Sequence, residues 1–121
     1  MNDQDYYSVQ SSLITIASEF LRLQRVYEKA ISKLDREEQS RYMSQFSWFS
    51  KRVYKALDDA KLKLVNLEGQ IYDPGMAVTP LNIDEFEPDD DLYIVQMIEP
   101  VVMGDDRVIK TGIVILGRKE V

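Results

Sequence analysis

YYSVQSSLITIASEFLRLQRVYEKAISKL, residues 6–34, repeats an apolar side chain at alternating steps of three and four: Tyr6, Val9, Leu13, Ile16, Phe20, Leu23, Tyr27, Ala30 and Leu34. A mean step of about 3.5 residues keeps these positions on one face of an α-helix and does not fit a strand, whose faces alternate every second residue. Ile14, Ala17, Leu21, Val26 and Ile31 widen the stripe beyond the seam of a two-stranded coiled coil, which is the width of a bundle helix. Directly after Leu34, Asp35 followed by Glu38 has the outline of a capping box, so one helix ends here and another begins.

The second helix carries Tyr42, Phe46, Phe49, Val53, Ala56 and Ala60 on one face, with Trp48, Leu57, Leu64 and Leu67 beside it. Its large aromatic residues, Trp48 and Phe49 included, read as core. Two helices of about 28 residues present more apolar surface than they can cover for each other. The expected solution is a homodimer in a four-helix bundle, with Leu13, Phe20, Leu23, Phe46, Phe49 and Val53 at the dimer interface. The alternative is that a partner protein's helices fill the same place.

From Asn66 to Gly69 the helical period stops, and all four prolines and all five glycines fall in residues 69–121. Short apolar runs at Met76–Thr79, Leu92–Ile98, Arg107–Lys110 and Ile113–Leu116 read as strands, and Gly104-Asp105-Asp106 as a hairpin turn. Gly112, in Lys110-Thr111-Gly112, marks an irregularity in a long last strand pair. The expected fold is therefore α+β: a helical dimerisation region over residues 1–68 and a small β domain over residues 69–121.

The 121 residues include no Cys and no His. Thiolate nucleophiles, disulfides, zinc fingers and imidazole bases are thereby excluded. The formal charge is −6, unevenly placed: residues 1–68 hold 10 acidic and 11 basic groups, net +1, and residues 69–121 hold 11 and 4, net −7. The acidic half is a poor ligand for a phosphate backbone. No apolar run reaches membrane-spanning length and the first residues lack a signal peptide's positive region, so a soluble cytoplasmic protein is expected. The run Asp84, Glu85, Glu87, Asp89, Asp90, Asp91 lacks the central Gly of a calcium loop and reads as a solvated loop without a specific metal. Lys51, Arg52 and Lys55, extended by Lys61 and Lys63, read as a solvated helix face with pairs such as Lys55 and Asp59. No phosphate loop, nucleophile elbow or paired-carboxylate site appears, so neither catalysis nor a cofactor is expected.

Gly69-Gln70-Ile71-Tyr72-Asp73-Pro74, Ala77-Val78, Leu92 to Ile98, and Arg107-Val108-Ile109-Lys110-Thr111-Gly112-Ile113-Val114-Ile115 together resemble the GrpE family of nucleotide exchange co-chaperones. The resemblance runs from about Leu13 to Leu116 in the order and rough length of its parts. It implies a helical dimerisation region before a small β domain, and a β domain that engages the ATPase domain of an Hsp70-class chaperone to promote nucleotide release. Carried over by position, the partner-binding surface falls on Ile98, Arg107 and Leu116. The chain departs from the family pattern in four places. Only Gly75-Met76 stands before Ala77-Val78, where the family has a spacer and a His; Glu99-Pro100-Val101-Val102-Met103 stands where the family has Gly-Tyr; Ile109-Lys110-Thr111-Gly112 stands where the family has Ile-Arg followed by small residues; and the family's long N-terminal stalk is not expected. These departures suit the second reading, a structural or adaptor protein that keeps the fold and binds a different partner.

Overall fold

Asn2 starts the first helix by accepting the Asp5 amide on its side-chain oxygen at 2.8 Å, and Asp3 and Asp5 set negative charge on the first turn, where the helix dipole favours it. This helix, α1, spans Asp3–Ile31 in a computed structural model that describes residues 2–118. The second, α2, spans Arg36–Asp59. Asp35 caps it as the sequence implies, accepting the Glu38 amide at 2.9 Å. The connection is closed from above by Gln39, whose Nε2 donates to the carbonyls of Ser32 (3.1 Å) and Leu34 (2.8 Å), so groups left unpaired at the end of α1 are satisfied from the first turn of α2.

Tyr27 stacks on Phe46 at 4.8 Å, while the earlier Phe20 meets the later Phe49 (5.7 Å) and Tyr54 (6.0 Å), which makes the pair an antiparallel hairpin. Ile14, Ala17, Phe20 and Ile31 from α1 and Phe46 and Leu57 from α2 are buried. Burial among these rings raises the Tyr54 phenol above its ordinary value, and the charge of Glu28 adds to the effect.

The second helix ends well before Asn66. Lys61 takes a left-handed φ of 62° and donates its amide to the Asp58 carbonyl, closing the helix with no glycine to announce the stop. Two compact units meet in sequence between Lys61 and Leu62, not between residues 68 and 69. The difference is a strand, β1 (Lys63–Val65), whose Leu64 keeps a seven-residue step from Leu57 and so imitates a helical position.

The second unit continues with β2 (Val78–Pro80), a short 3-10 turn (Ile83–Glu85), β3 (Leu92–Glu99), β4 (Val101–Met103), β5 (Val108–Lys110) and β6 (Gly112–Arg118). They form two three-stranded sheets, β1-β4-β5 and β2-β6-β3, in which only β2 and β6 run parallel. The last strand pair is long, as expected: Met103 pairs Val108, Val102 pairs Lys110, Glu99 pairs Ile113 and Leu92 pairs Arg118. Its irregularity at Gly112 is a change of sheet. The chain leaves one sheet at Pro100 and re-enters it from the other at Thr111, and the two crossings lie side by side. A Cβ on Gly112 would stand 2.9 Å from the Glu99 carbonyl oxygen and 3.1 Å from Val101 Cγ2, so only glycine fits this corner. A salt bridge from Lys110 to Glu99 at 3.2 Å straps its outside.

The core of this unit is Leu92, Ile94, Met97, Val101, Val114 and Leu116, with Val65, Leu67, Tyr72, Met76, Val78 and Phe86 packed against it. The free edge of β3 is covered by the incoming chain: Gly69 donates to the Ile94 carbonyl, Ile94 to that of Gln70, Tyr72 to that of Leu92, and the Glu68 carboxylate accepts the Met97 amide at 2.9 Å. No helix among the described residues is long and apolar enough to cross a membrane.

Candidate functional site

Three surfaces of the described residues bear on the expected interfaces. The first is on the hairpin. Of the six residues expected at a dimer interface, Phe20 and Phe46 are buried within one chain and Leu13 and Val53 are half-buried there, whereas Leu23 (57%) and Phe49 (47%) stand exposed. Leu23 belongs to a heptad line with the exposed Val9, Ile16 and Ala30; Phe49 belongs to another with Tyr42 and Ala56. At about 100° per residue both lines are rotated in the same sense, by about 60° to 140°, from the buried Ala17 and Leu57 respectively. Because antiparallel helices reverse the sense of rotation seen from one end, the two lines share one side of the hairpin. The expectation that Phe49 and Trp48 are core does not hold within the chain. Phe49 is on this apolar side, and Trp48 is about 100° further round, on the polar face turned away from the hairpin core.

The second surface is the outer face of sheet β2-β6-β3. Strand β6 reads Ile113, Val114, Ile115, Leu116: the even positions fill the core, and Ile113 and Ile115 face outward. Across the sheet Ile71 bridges to Tyr93, and Tyr93 pairs with Gly117. A Cβ on Gly117 would lie 2.6 Å from Val95 Cγ2 and 3.2 Å from Tyr93 Cε1, so its absence lets these two side chains lie over the central strand. Leu81 continues the β2 ladder by donating to the Val114 carbonyl, which sets it beside Ile115. Ile71 at 66% and Leu81 at 62% are open to solvent, and Val95 is exposed as well.

The third is the tip of the β4-β5 hairpin. Arg107 is exposed there, its carbonyl holding the turn through the Gly104 amide at 2.8 Å. Among the described residues no carboxylate pairs with its guanidinium.

The positions carried over from the family resemblance do not converge. Arg107 is exposed on one sheet. Ile98 is half-buried on the other, at the irregularity between the Met97–Val114 and Glu99–Ile113 pairs. Leu116 is 3% exposed and a member of the core, opposite Ile94, so its side chain cannot face a partner. What the outer sheet face adds, Ile71, Tyr93, Val95, Leu81 and Ile115, was foreshadowed only by the unbroken apolar run of Ile113 to Leu116, which leaves no polar side to the strand.

The acidic run is ordered at its ends. Asn82 mimics a strand partner, its Oδ1 accepting the Leu116 amide and its Nδ2 donating to the Leu116 carbonyl, both at 2.9 Å. Asp90 accepts the Glu87 amide at 2.9 Å and pairs with Arg118 at 3.0 Å, and Arg118 lies over the Phe86 ring. The Asp90 carboxyl is held below its ordinary value, first by the Glu87 amide and then by Arg118, against an opposing effect of burial. Asp84, Glu85, Glu87, Asp89 and Asp91 are exposed. No group of three or more carboxylates among the described residues is arranged to hold a metal ion.

Comparison with known proteins finds no matching family, no matching curated sequence and no matching solved structure.

Proposed function

We propose that this protein is a non-enzymatic, GrpE-like co-chaperone: a homodimer that joins two helical hairpins in a four-helix bundle and uses its β unit to promote nucleotide release from an Hsp70-class ATPase domain. The observation that carries the reading is the continuous apolar side of the hairpin, Val9, Ile16, Leu23, Tyr42 and Phe49. A second copy would bury it by the same two-fold contact in both chains. It precedes a separately folded β unit, the order of parts that the sequence resemblance implies.

The mechanism needs no covalent chemistry. A β unit that binds the opened, nucleotide-free ATPase domain more tightly than the closed one lowers nucleotide affinity by the same factor. A hundredfold effect corresponds to about 2.7 kcal/mol. Arg107 would supply a bidentate contact to a partner carboxylate, its specificity sharpened by the acids around it. With Leu116 in the core, the apolar share of the contact falls to the Ile71, Tyr93, Val95 and Ile115 face.

Release of a fluorescent nucleotide from a cognate Hsp70-class protein, followed by stopped flow, tests the reading. Wild type accelerates release. Arg107→Ala weakens binding by about 1 to 3 kcal/mol and slows the stimulated rate while the dimer persists. The burial of Leu116 favours the second reading, an adaptor that keeps the architecture for another partner. A wild type that leaves the release rate unchanged overturns exchange, and the further absence of binding to the chaperone favours the adaptor for another partner.

A further inference from the structure

α2 holds a face to solvent that neither the hairpin core nor the Phe49 line uses. Nine positions at about 100° each set Trp48 half a rotation from the buried Leu57. Lys51, Arg52 and Lys55 follow Trp48 at steps of three, four and seven, and Arg41 precedes it by seven, so the five share one sector of the helix. All are exposed, Trp48 at 64%. The Arg52 guanidinium stands 5.0 Å from the Trp48 ring centroid. Lys55 pairs with Asp59 at 3.4 Å, but among the described residues no carboxylate is within ion-pair distance of Arg41, Lys51 or Arg52.

An open indole among unpaired cations suits an anionic ligand with an apolar element. The patch runs about 21 Å along α2 from Arg41 to Lys55, and acids bracket it, Glu37 and Glu38 before it and Asp58 and Asp59 after it, about 30 Å apart along the helix. A phosphate chain running along α2 would meet them, and a lone aromatic offers no series of bases a stacking platform. An acidic protein segment with one or two apolar side chains fits better. This chain displays one: Asp84, Glu85, Glu87, Asp89 and Asp91 are exposed beside exposed Leu81 and Ile83. The Asn82–Leu116 and Asp90–Arg118 contacts already hold that segment in shape, which reduces the ordering cost of binding. The charge division, net +1 over residues 1–68 and −7 over residues 69–121, makes the helices of another copy the part of this molecule that such a segment can approach.

We propose that the Trp48, Lys51, Arg52 and Lys55 face of α2 docks the Leu81–Asp91 segment of a second copy of this chain. The contact is heterologous, unlike a two-fold contact through Phe49, and it does not rest on the co-chaperone reading. Two chains of charge −6 repel at long range, so the association is weak; the docking contact itself joins opposite charges at short range, and its screening makes the association fall with salt.

Trp48 is the single tryptophan, so its emission reports the patch directly. In a dilution series of the full chain at about 50 mM NaCl, the emission maximum moves to the blue as concentration rises, and sedimentation velocity shows larger species; at about 500 mM NaCl the apparent Kd rises at least tenfold. Lys51→Glu with Arg52→Glu, and separately Asp89→Lys with Asp91→Lys, each remove the concentration-dependent shift, and an equimolar mixture of the two variants restores it. If circular dichroism shows either variant unfolded, Arg41→Glu with Lys55→Glu, or Asp84→Lys with Glu87→Lys, replaces it. A mixture that fails to restore association, a shift indifferent to concentration or to salt, or a Trp48 response to oligo-dT or to phosphatidylserine vesicles without self-association would each overturn the proposal.

Discussion

Lys61 and Asp90 show how much a single residue decides here. Lys61 ends α2 in a left-handed conformation that costs an L-residue about 1 kcal/mol and glycine almost nothing. Lys61→Gly is therefore expected to raise stability by about 0.5 to 1 kcal/mol, read as a higher denaturant midpoint at unchanged slope. A midpoint that falls would show that the Lys61 side chain contributes more than its backbone costs. Asp90 has a folded pKa below its unfolded value, so its contribution is fully present above the ordinary aspartate pKa of 3.8 and is lost as pH falls through the depressed folded value. NMR titration should find the Asp90 carboxyl with a midpoint below 3.8, and Asp90→Asn should flatten the acid limb of the stability curve. An unshifted midpoint would mean that the Glu87 amide and Arg118 do not hold it in solution.

At the scale of elements, the β unit depends on the β3-β6 pair that both fills the core and carries the sheet change. Ile94 is fully buried between Leu92 and Met97 on the inner face of β3, opposite Leu116. Ile94→Ala removes buried apolar volume and leaves a cavity, for an expected loss of about 2 to 5 kcal/mol, while the exposed Val95→Ala one position on should cost well under half of that. Chemical denaturation followed by the far-UV signal of the sheets measures both. Equal losses would mean that the inner and outer faces are not distinguished by packing. Capping was readable in advance at this scale: Asp35 was recognised because an N-cap is a local chemical event between residues three apart. The strands β1 and β4 were not. Three residues carry too little periodicity, and Lys63–Val65 and Val101–Met103 become strands by pairing with each other across a long stretch of chain.

For the whole molecule, the decisive expectation concerns Phe49. At 47% exposure in one chain, an Asp there disturbs the hairpin itself only modestly, by about 1 kcal/mol, whereas a charge in the centre of a two-fold apolar contact costs several. Sedimentation equilibrium of the wild type at about 100 µM should give a dimer and Phe49→Asp a folded monomer, since contacts of that strength set association in the micromolar range. A monomeric wild type would remove the bundle from the proposed function.

Residues 6–60, read alone, determined two helices, their break and the breadth of their apolar face, because helical periodicity and capping are set by neighbours within a turn or two. The prolines, glycines and apolar runs of the C-terminal half likewise determined a small β unit and four of its six strands. Which side of each apolar run faces inward was decided by tertiary structure alone. Leu116, an apolar residue near a strand end, could equally have faced a partner, and its pairing opposite Ile94 made it core. Phe49 and Trp48 are adjacent aromatics that composition assigns to the interior, yet about 100° of helix rotation separates them and neither is buried in one chain. The outer face of Tyr93, Val95 and Ile115 exists because register brings Gly117 beneath the first two, and register is a property of paired strands, which no single run of residues contains.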